Sequence, residues 1–255
     1  MRRPRGWTNF AGQAGLFALL GGLYALTGLY GRHEASTAIA NGSSVIHVER
    51  ELGIGWEHTL QGWALQHDAL RQFANRTYML SQFTITNCFL IWAYVRRYGA
   101  YLRIRNALVV ANAFALIGAL AYPLAPPRLI PGSGIVDTLG SGPATFHSTL
   151  VDALNNPYAA FPSLHASYAL VLGVAGVALT RRPWLRAIWI IYPALVVFSV
   201  VATGNHFLID VLAGAVAVLA TPAVERAIAA AGVHLRSGRR MATAFAGGRA
   251  ERSLS

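Results

Sequence analysis

The sequence contains no lysine: all 21 of its basic residues are arginine. Acid is scarce as well, ten Asp and Glu in 255 residues, and there is one cysteine, Cys88. A single cysteine excludes an intrachain disulfide and any cysteine-based metal site. Charged residues make up 12 % of the chain, about half the ~25 % that a water-facing surface carries, which excludes a soluble globular domain. With 55 % hydrophobic residues and a mean hydropathy of +0.43, disorder is excluded too. A formal charge of +11 would point to nucleic acid in a soluble chain; in this composition the arginines mark cytoplasmic loops. No internal repeat is evident, and no period-2 alternation recurs at the ~10-residue spacing of a transmembrane barrel.

What is present is a series of long uncharged runs. Phe10–Tyr30, Thr77–Val95, Asn106–Pro127, the part of Ala153–Thr180 from about Leu164, Ala187–Ala202 and His206–Val224 each approach the ~20 residues that cross ~30 Å of hydrocarbon. The expected fold is therefore all-α, a polytopic six-transmembrane-helix bundle. Residues 1–230 form a single catalytic domain in this reading, and 231–255 a basic, flexible cytoplasmic tail. Met-Arg-Arg-Pro-Arg before the first run resembles a signal-peptide start, but the run's length and the lack of a small-x-small site favour a retained helix. Sixteen arginines fall at the termini and in the 2–3 and 4–5 loops, five in the other connections. That asymmetry places both termini in the cytoplasm.

Two outer segments are long. Val45–Leu65 mixes apolar side chains with Glu49, Glu51 and Glu57, and is expected as an amphipathic helix in the interface, broken near Gly53–Gly55, its tryptophans at headgroup level. Residues 126–162, rich in Pro and Gly, are expected as a structured functional loop.

Three outer places carry chemistry. Pro126-Pro127-Arg128 puts a cation at the membrane edge. Asn155-Pro-Tyr-Ala-Ala-Phe-Pro-Ser-Leu-His165 puts Pro162 in a first helical turn, Ser163 among free amides and His165 at the boundary. In Thr203-Gly-Asn-His-Phe-Leu-Ile-Asp210, His206 and Asp210 are four apart and share a helix face. Each has a plain structural alternative: a snorkelling arginine, an interfacial histidine, a structural His–Asp pair. The topology brings all three to one level, at the ends of runs 3 to 6. Together they suit phosphoryl transfer through a phosphohistidine, in which one His attacks, Asp supports it, the other His protonates the leaving oxygen, and Arg plus amides hold the phosphate.

At these residues the chain resembles the type-2 phosphatidic acid phosphatase superfamily. Pro162-Ser163-Leu164-His165 matches its Pro-Ser-x-His element and His206-x-x-x-Asp210 its His-x-x-x-Asp. The surrounding wording, with Ala-Pro-Pro-Arg-Leu before and the Glu49-x-Glu-Leu-Gly within Glu49–Gln61, looks most like the inositol phosphorylceramide synthase-like branch, over roughly residues 45–220. The resemblance implies His206 as nucleophile, Asp210 as its orienting partner, His165 as general acid/base, six spans, an extracytoplasmic site and no metal or other cofactor. Arg128 and Ser163 would bind phosphate, with Asn205, Asn155 or Tyr158 as further contacts and Asp137 a candidate for the head group or, alternatively, a loop-structuring aspartate. Two family cations are missing: Ala121 stands where a Lys is usual and Val200 where an Arg is usual. The implied activity is transfer of a phosphoryl-linked head group between membrane lipids in the plasma membrane. A lipid phosphate phosphatase and a non-catalytic lipid-binding or transport protein are the alternatives, and nucleic acid is not an expected partner.

Overall fold

The computed structural model describes residues 6–140 and 156–230. The expectations for Asn155 and for the tail 231–255 lie outside the described residues. The helices are α1 (Gly6–Gly31), α2 (Ala35–Glu51), α3 (Glu57–Gln66), α4 (Asp68–Leu80), α5 (Thr86–Arg96), α6 (Tyr98–Ala121), α7 (Leu164–Leu179), α8 (Pro183–Ala202) and α9 (Leu208–Leu219), with 3-10 turns at Arg32–Glu34 and Pro127–Leu129. Among the described residues there is no strand, only an isolated bridge between Leu124 and Ala159. The all-α expectation holds. From Leu219 on lies a second compact unit, whose described helix is α10 (Thr221–Ala230).

Three helices are long and apolar enough to cross a membrane alone: Gly6–Gly28, Tyr98–Ala121 and Pro183–Ala202. A fourth is added if Leu208–Leu219 and Thr221–Ala230 count as one broken span. The expected run Thr77–Val95 is not one continuous α-helix. A π-turn at Ser81–Ile85 interrupts it between α4 and α5. Its polar side chains take up backbone carbonyls there, as Thr86 Oγ1 donates to Ser81 O at 2.9 Å and Ser81 Oγ to Tyr78 O at 3.2 Å. Such local bonds compensate a ladder that has changed register. α7, at 16 residues, is short of the spanning length.

The core is built from α5, α6, α7 and α8, where Phe89, Leu108, Leu172, Val196 and Val200 are among the buried apolar residues. α1 packs on α6 but is barely covered, with 6 % of its apolar window buried against 44 % for α6. Polar clips hold it. Asn9 accepts from the Tyr94 and Tyr98 hydroxyls, Gln13 from Tyr101 and Arg105, and Tyr24 O–H donates to Ala159 O at 3.0 Å.

The expected break near Gly53–Gly55 is present, since α2 ends at Glu51, α3 begins at Glu57, and Gly53 takes φ +69°. Glu49 and Glu57 are buried together with Val45 and Ala64, whereas Glu51 and the apolar Val48, Leu52, Trp56 and Trp63 are exposed. The buried carboxylates turn inward because backbone N–H groups wait for them there; those apolar side chains are left outside.

Candidate active site

Arg128 reaches the site through a backbone contact. Its N–H donates to Gly204 O at 3.1 Å, which ties the Pro127–Leu129 turn to the loop after α8. Gly204 has φ +71°, and a Cβ there would stand 2.7 Å from Ile135 Cγ2 and 3.2 Å from Arg128 Cβ. Only glycine fits both the left-handed backbone and that approach. The Arg128 side chain is largely buried and its Nε lies 3.5 Å from Asp137 Oδ2, but neither Nε nor Nη1 makes a hydrogen bond. A buried guanidinium with idle donors is primed for an anion.

His165 and Ser163 come from the start of α7. Ser163 has an extended backbone (φ −67°, ψ 113°), so the helix begins after it, at Leu164. Pro162 therefore precedes the cap rather than lying in the first turn. Ser163 is fully buried, and its Oγ accepts from Ala166 N–H at 3.3 Å as the N-cap. Its own N–H donates to Asp210 O at 3.0 Å. Ser163 thus caps α7 with its Oγ and spends its own N–H on α9. The N–H groups of Leu164 and His165 remain, in the first turn of a helix where no carbonyl precedes them. Gly214 lets α9 press on this point, since a Cβ there would be 2.5 Å from Ser163 O.

His206 lies between α8 and α9, and Asp210 in the first turn of α9. His206 Nδ1 is 3.4 Å from Asp210 Oδ2, with the aspartate fully buried. The same Oδ2 accepts Phe207 N–H at 3.0 Å. The His165 ring faces His206 with centroids 5.8 Å apart at 60°, and is stacked on Tyr78 of α4 at 4.2 Å and 22°. Arg128, His165, His206 and Asp210, from three separate segments of the sequence, meet here.

The other expected contacts are used differently. Asn205 is buried, and its amide donates to Thr203 O and Oγ1 at 3.2 and 3.0 Å, which shapes its own loop. Tyr158 packs against the apolar cluster around Leu124 and Phe207. Asp137 Oδ1 accepts from Leu139 and Gly140 N–H, so it structures the loop while its other oxygen faces Arg128. Asn155 lies outside the described residues.

Several supporting residues were not among the expected site residues. Gln61 of α3 bonds Val136 in both directions and also Ala202 O, and Asn75 of α4 pairs with Thr138. These two amides fasten the loop that carries Asp137. Glu49 Oε1 accepts Ile209 N–H at 2.7 Å and Glu57 Oε1 accepts Leu208 N–H at 3.2 Å, so both cap α9. Burial and the Glu57 carboxyl beside it push the Glu49 carboxyl up to about 9. A buried glutamate on an otherwise apolar helix face was the available signal, and it was readable only as part of an interfacial helix.

Phosphoinositol dihydroceramide synthase from Bacteroides thetaiotaomicron is 28 % identical over 127 residues, 45 % of this chain and 42 % of that protein. The match thus spans less than half of the curated relative's length. No solved structure matches. A family model described as the PAP2 superfamily matches residues 43–224, the segment that holds every element of the site above. The chain belongs to the PAP2 superfamily.

Proposed function

We propose that the chain is an integral-membrane phosphotransferase that moves a phosphoryl-linked head group from a lipid donor to a hydroxyl acceptor through a phosphohistidine. The observation that carries this reading is His206, backed on Nδ1 by buried Asp210 at 3.4 Å and faced by His165. With Nδ1 turned to the carboxylate, Nε2 is the attacking nitrogen. It forms an N–P bond while the bond from phosphorus to the lipid alkoxide breaks, and His165 gives that oxygen its proton. An acceptor hydroxyl then yields its proton to His165 and attacks phosphorus, breaking the N–P bond. Arg128 and the first-turn amides of α7 hold the phosphate oxygens throughout. The six-span bundle, cytoplasmic termini, an extracytoplasmic site and independence from metal belong to this proposal; the arginine asymmetry supports the orientation.

Charge favours a diester donor. A phosphomonoester carries close to two negative charges at neutral pH, a diester one. Arg128 is the assigned cation, and under-compensated charge in a site of low dielectric is costly. The name of the Bacteroides relative, in which phosphoinositol and dihydroceramide both appear, supports the same choice of donor and a long-chain hydroxyl acceptor. The test is a competition in which purified protein is given a glycerophosphoinositol-type diester, a lipid phosphomonoester and an acceptor lipid, with products identified by mass spectrometry. Head-group transfer to the acceptor is expected. Fast release of inorganic phosphate from the monoester without transfer would make the chain a lipid phosphate phosphatase.

A further inference from the structure

The first turn of α9 is capped by three carboxylates. Phe207, Leu208 and Ile209 N–H donate to Asp210, Glu57 and Glu49 in turn, at 3.0, 3.2 and 2.7 Å. Asp210 does this from within the turn, whereas Glu57 and Glu49 reach in from α3 and α2. Glu49 is 1 % and Glu57 6 % exposed, and Glu49 Oε2 has no protein hydrogen-bond partner. Each carboxylate satisfies one orphan N–H of the helix start, but three buried like charges at one point are unfavourable. An arrangement of this kind is stable when one carboxyl keeps its proton and donates it to its neighbour.

We propose that Glu49 and Glu57 are positioning residues that act as one proton-sharing carboxyl pair, clamping the first turn of α9 and so fixing His206 and Asp210 against the bound phosphate. The proposal rests on His206 being the nucleophile. The pair carries one negative charge in place of two. Its neutral member spans Ile209 N–H and Glu57, which is why a carboxyl without a cation beside it stands at this place. The charged and titratable groups on the elements around the pair are His47, Arg50 and Glu51 on α2 itself, Arg32, His33 and Glu34 on the 3-10 turn before it, Glu57 and His58 on α3, Asp210 on α9, and Arg128 on the Pro127–Leu129 turn. Of these, Glu57 and Asp210 both oppose ionisation of Glu49.

The experiment measures kcat, KM and their pH profiles for Glu49→Gln, Glu49→Leu and Glu57→Gln, with thermal unfolding of each. Gln at 49 keeps an oxygen for Ile209 N–H and a donor for Glu57, so kcat at neutral pH stays within threefold of wild type. Leu at 49 removes both contacts, and kcat falls on the order of 10²-fold with KM little changed, the size expected when reacting groups shift by ~1 Å. Below about pH 9 the wild-type pair keeps its proton; above it a second charge develops and kcat declines. That alkaline limb disappears in Glu49→Gln, and in Glu57→Gln it moves to lower pH, because burial still acts on Glu49 while the neighbouring carboxyl is gone. A limb unchanged in Glu49→Gln, or a Gln variant as impaired as Leu, overturns the proposal even if Glu49→Leu does not fold. If His206→Ala also turns over normally, the reading of the nucleophile has failed instead.

Discussion

Replacing Gly204 with alanine tests whether the loop after α8 holds the phosphate-binding arginine in place. Two costs can be separated. An L-residue at φ +71° costs about 1–2 kcal/mol in the left-handed region. The new Cβ would sit 2.7 Å from Ile135 Cγ2, close to an ångström inside an ordinary ~3.5–4.0 Å carbon contact, and overpacking of that kind costs about 1–3 kcal/mol. The loss of glycine's freedom in the unfolded chain returns about 0.4–1 kcal/mol. The expected net destabilisation is about 1–4 kcal/mol. Relief of the contact pushes the 128 turn away, because Arg128 Cβ is also only 3.2 Å off. Donor KM should therefore rise along with the loss of stability. The assay is thermal unfolding in detergent together with steady-state kinetics for Gly204→Ala, Ile135→Ala and the double variant. Removing Cγ2 abolishes the clash and leaves the backbone strain, so the double variant should show a favourable coupling of about 1–3 kcal/mol. Strict additivity, or a Gly204→Ala protein as stable as wild type with unchanged KM, would refute the reasoning.

Three further outcomes are expected. His206→Ala abolishes turnover while the protein stays folded, and His165→Ala loses about 10²–10⁴-fold with lipid donors but keeps part of the first step when the leaving group is good; rapid-quench kinetics and circular dichroism check both, and a His206→Ala enzyme of wild-type rate would contradict the assignment. Single cysteines at Glu51 and Arg181, in a Cys88→Ala background, react with a membrane-impermeant reagent from opposite sides of intact cells, Glu51 from outside; reaction from one side alone contradicts the arginine-based orientation. Activity is unchanged by EDTA, and a loss restored by a single divalent ion would point to metal chemistry.

The sequence carried the class of molecule, and the residues that gather at the candidate site, further than it carried the helices. Low charge and long apolar runs are enough to identify long apolar helices. The four-residue spacing of His206 and Asp210 suggests a shared helix face, whereas the structure starts α9 only at Leu208, so the two meet across the helix start. Span boundaries were less legible because a hydropathy reading passes straight through Ser81–Ile85, where the polar side chains that break the helix are outnumbered by apolar neighbours. The capping role of Ser163 was not legible, because a helix-capping serine and an anion-binding serine have the same sequence signature. Asn205 and Asp137 were ambiguous for the same reason, since a short polar side chain in a loop serves its own backbone as readily as a ligand. The inward turn of Glu49 and Glu57 could not be read at all. It depends on which helix end lies opposite them, more than 150 residues away in the chain.

The filled amides at the head of α9 have a consequence for the energy profile of the reaction. A helix start normally draws negative charge toward it, but here that pull is already spent on protein carboxylates, while the start of α7 keeps its own. On the function proposed above, the phosphate stays on the amides of α7 while His206 attacks from the side of α9, whose own attraction is no longer available to it. The covalent species then gains nothing from the second helix end, and little phosphorylated protein is expected to accumulate at steady state.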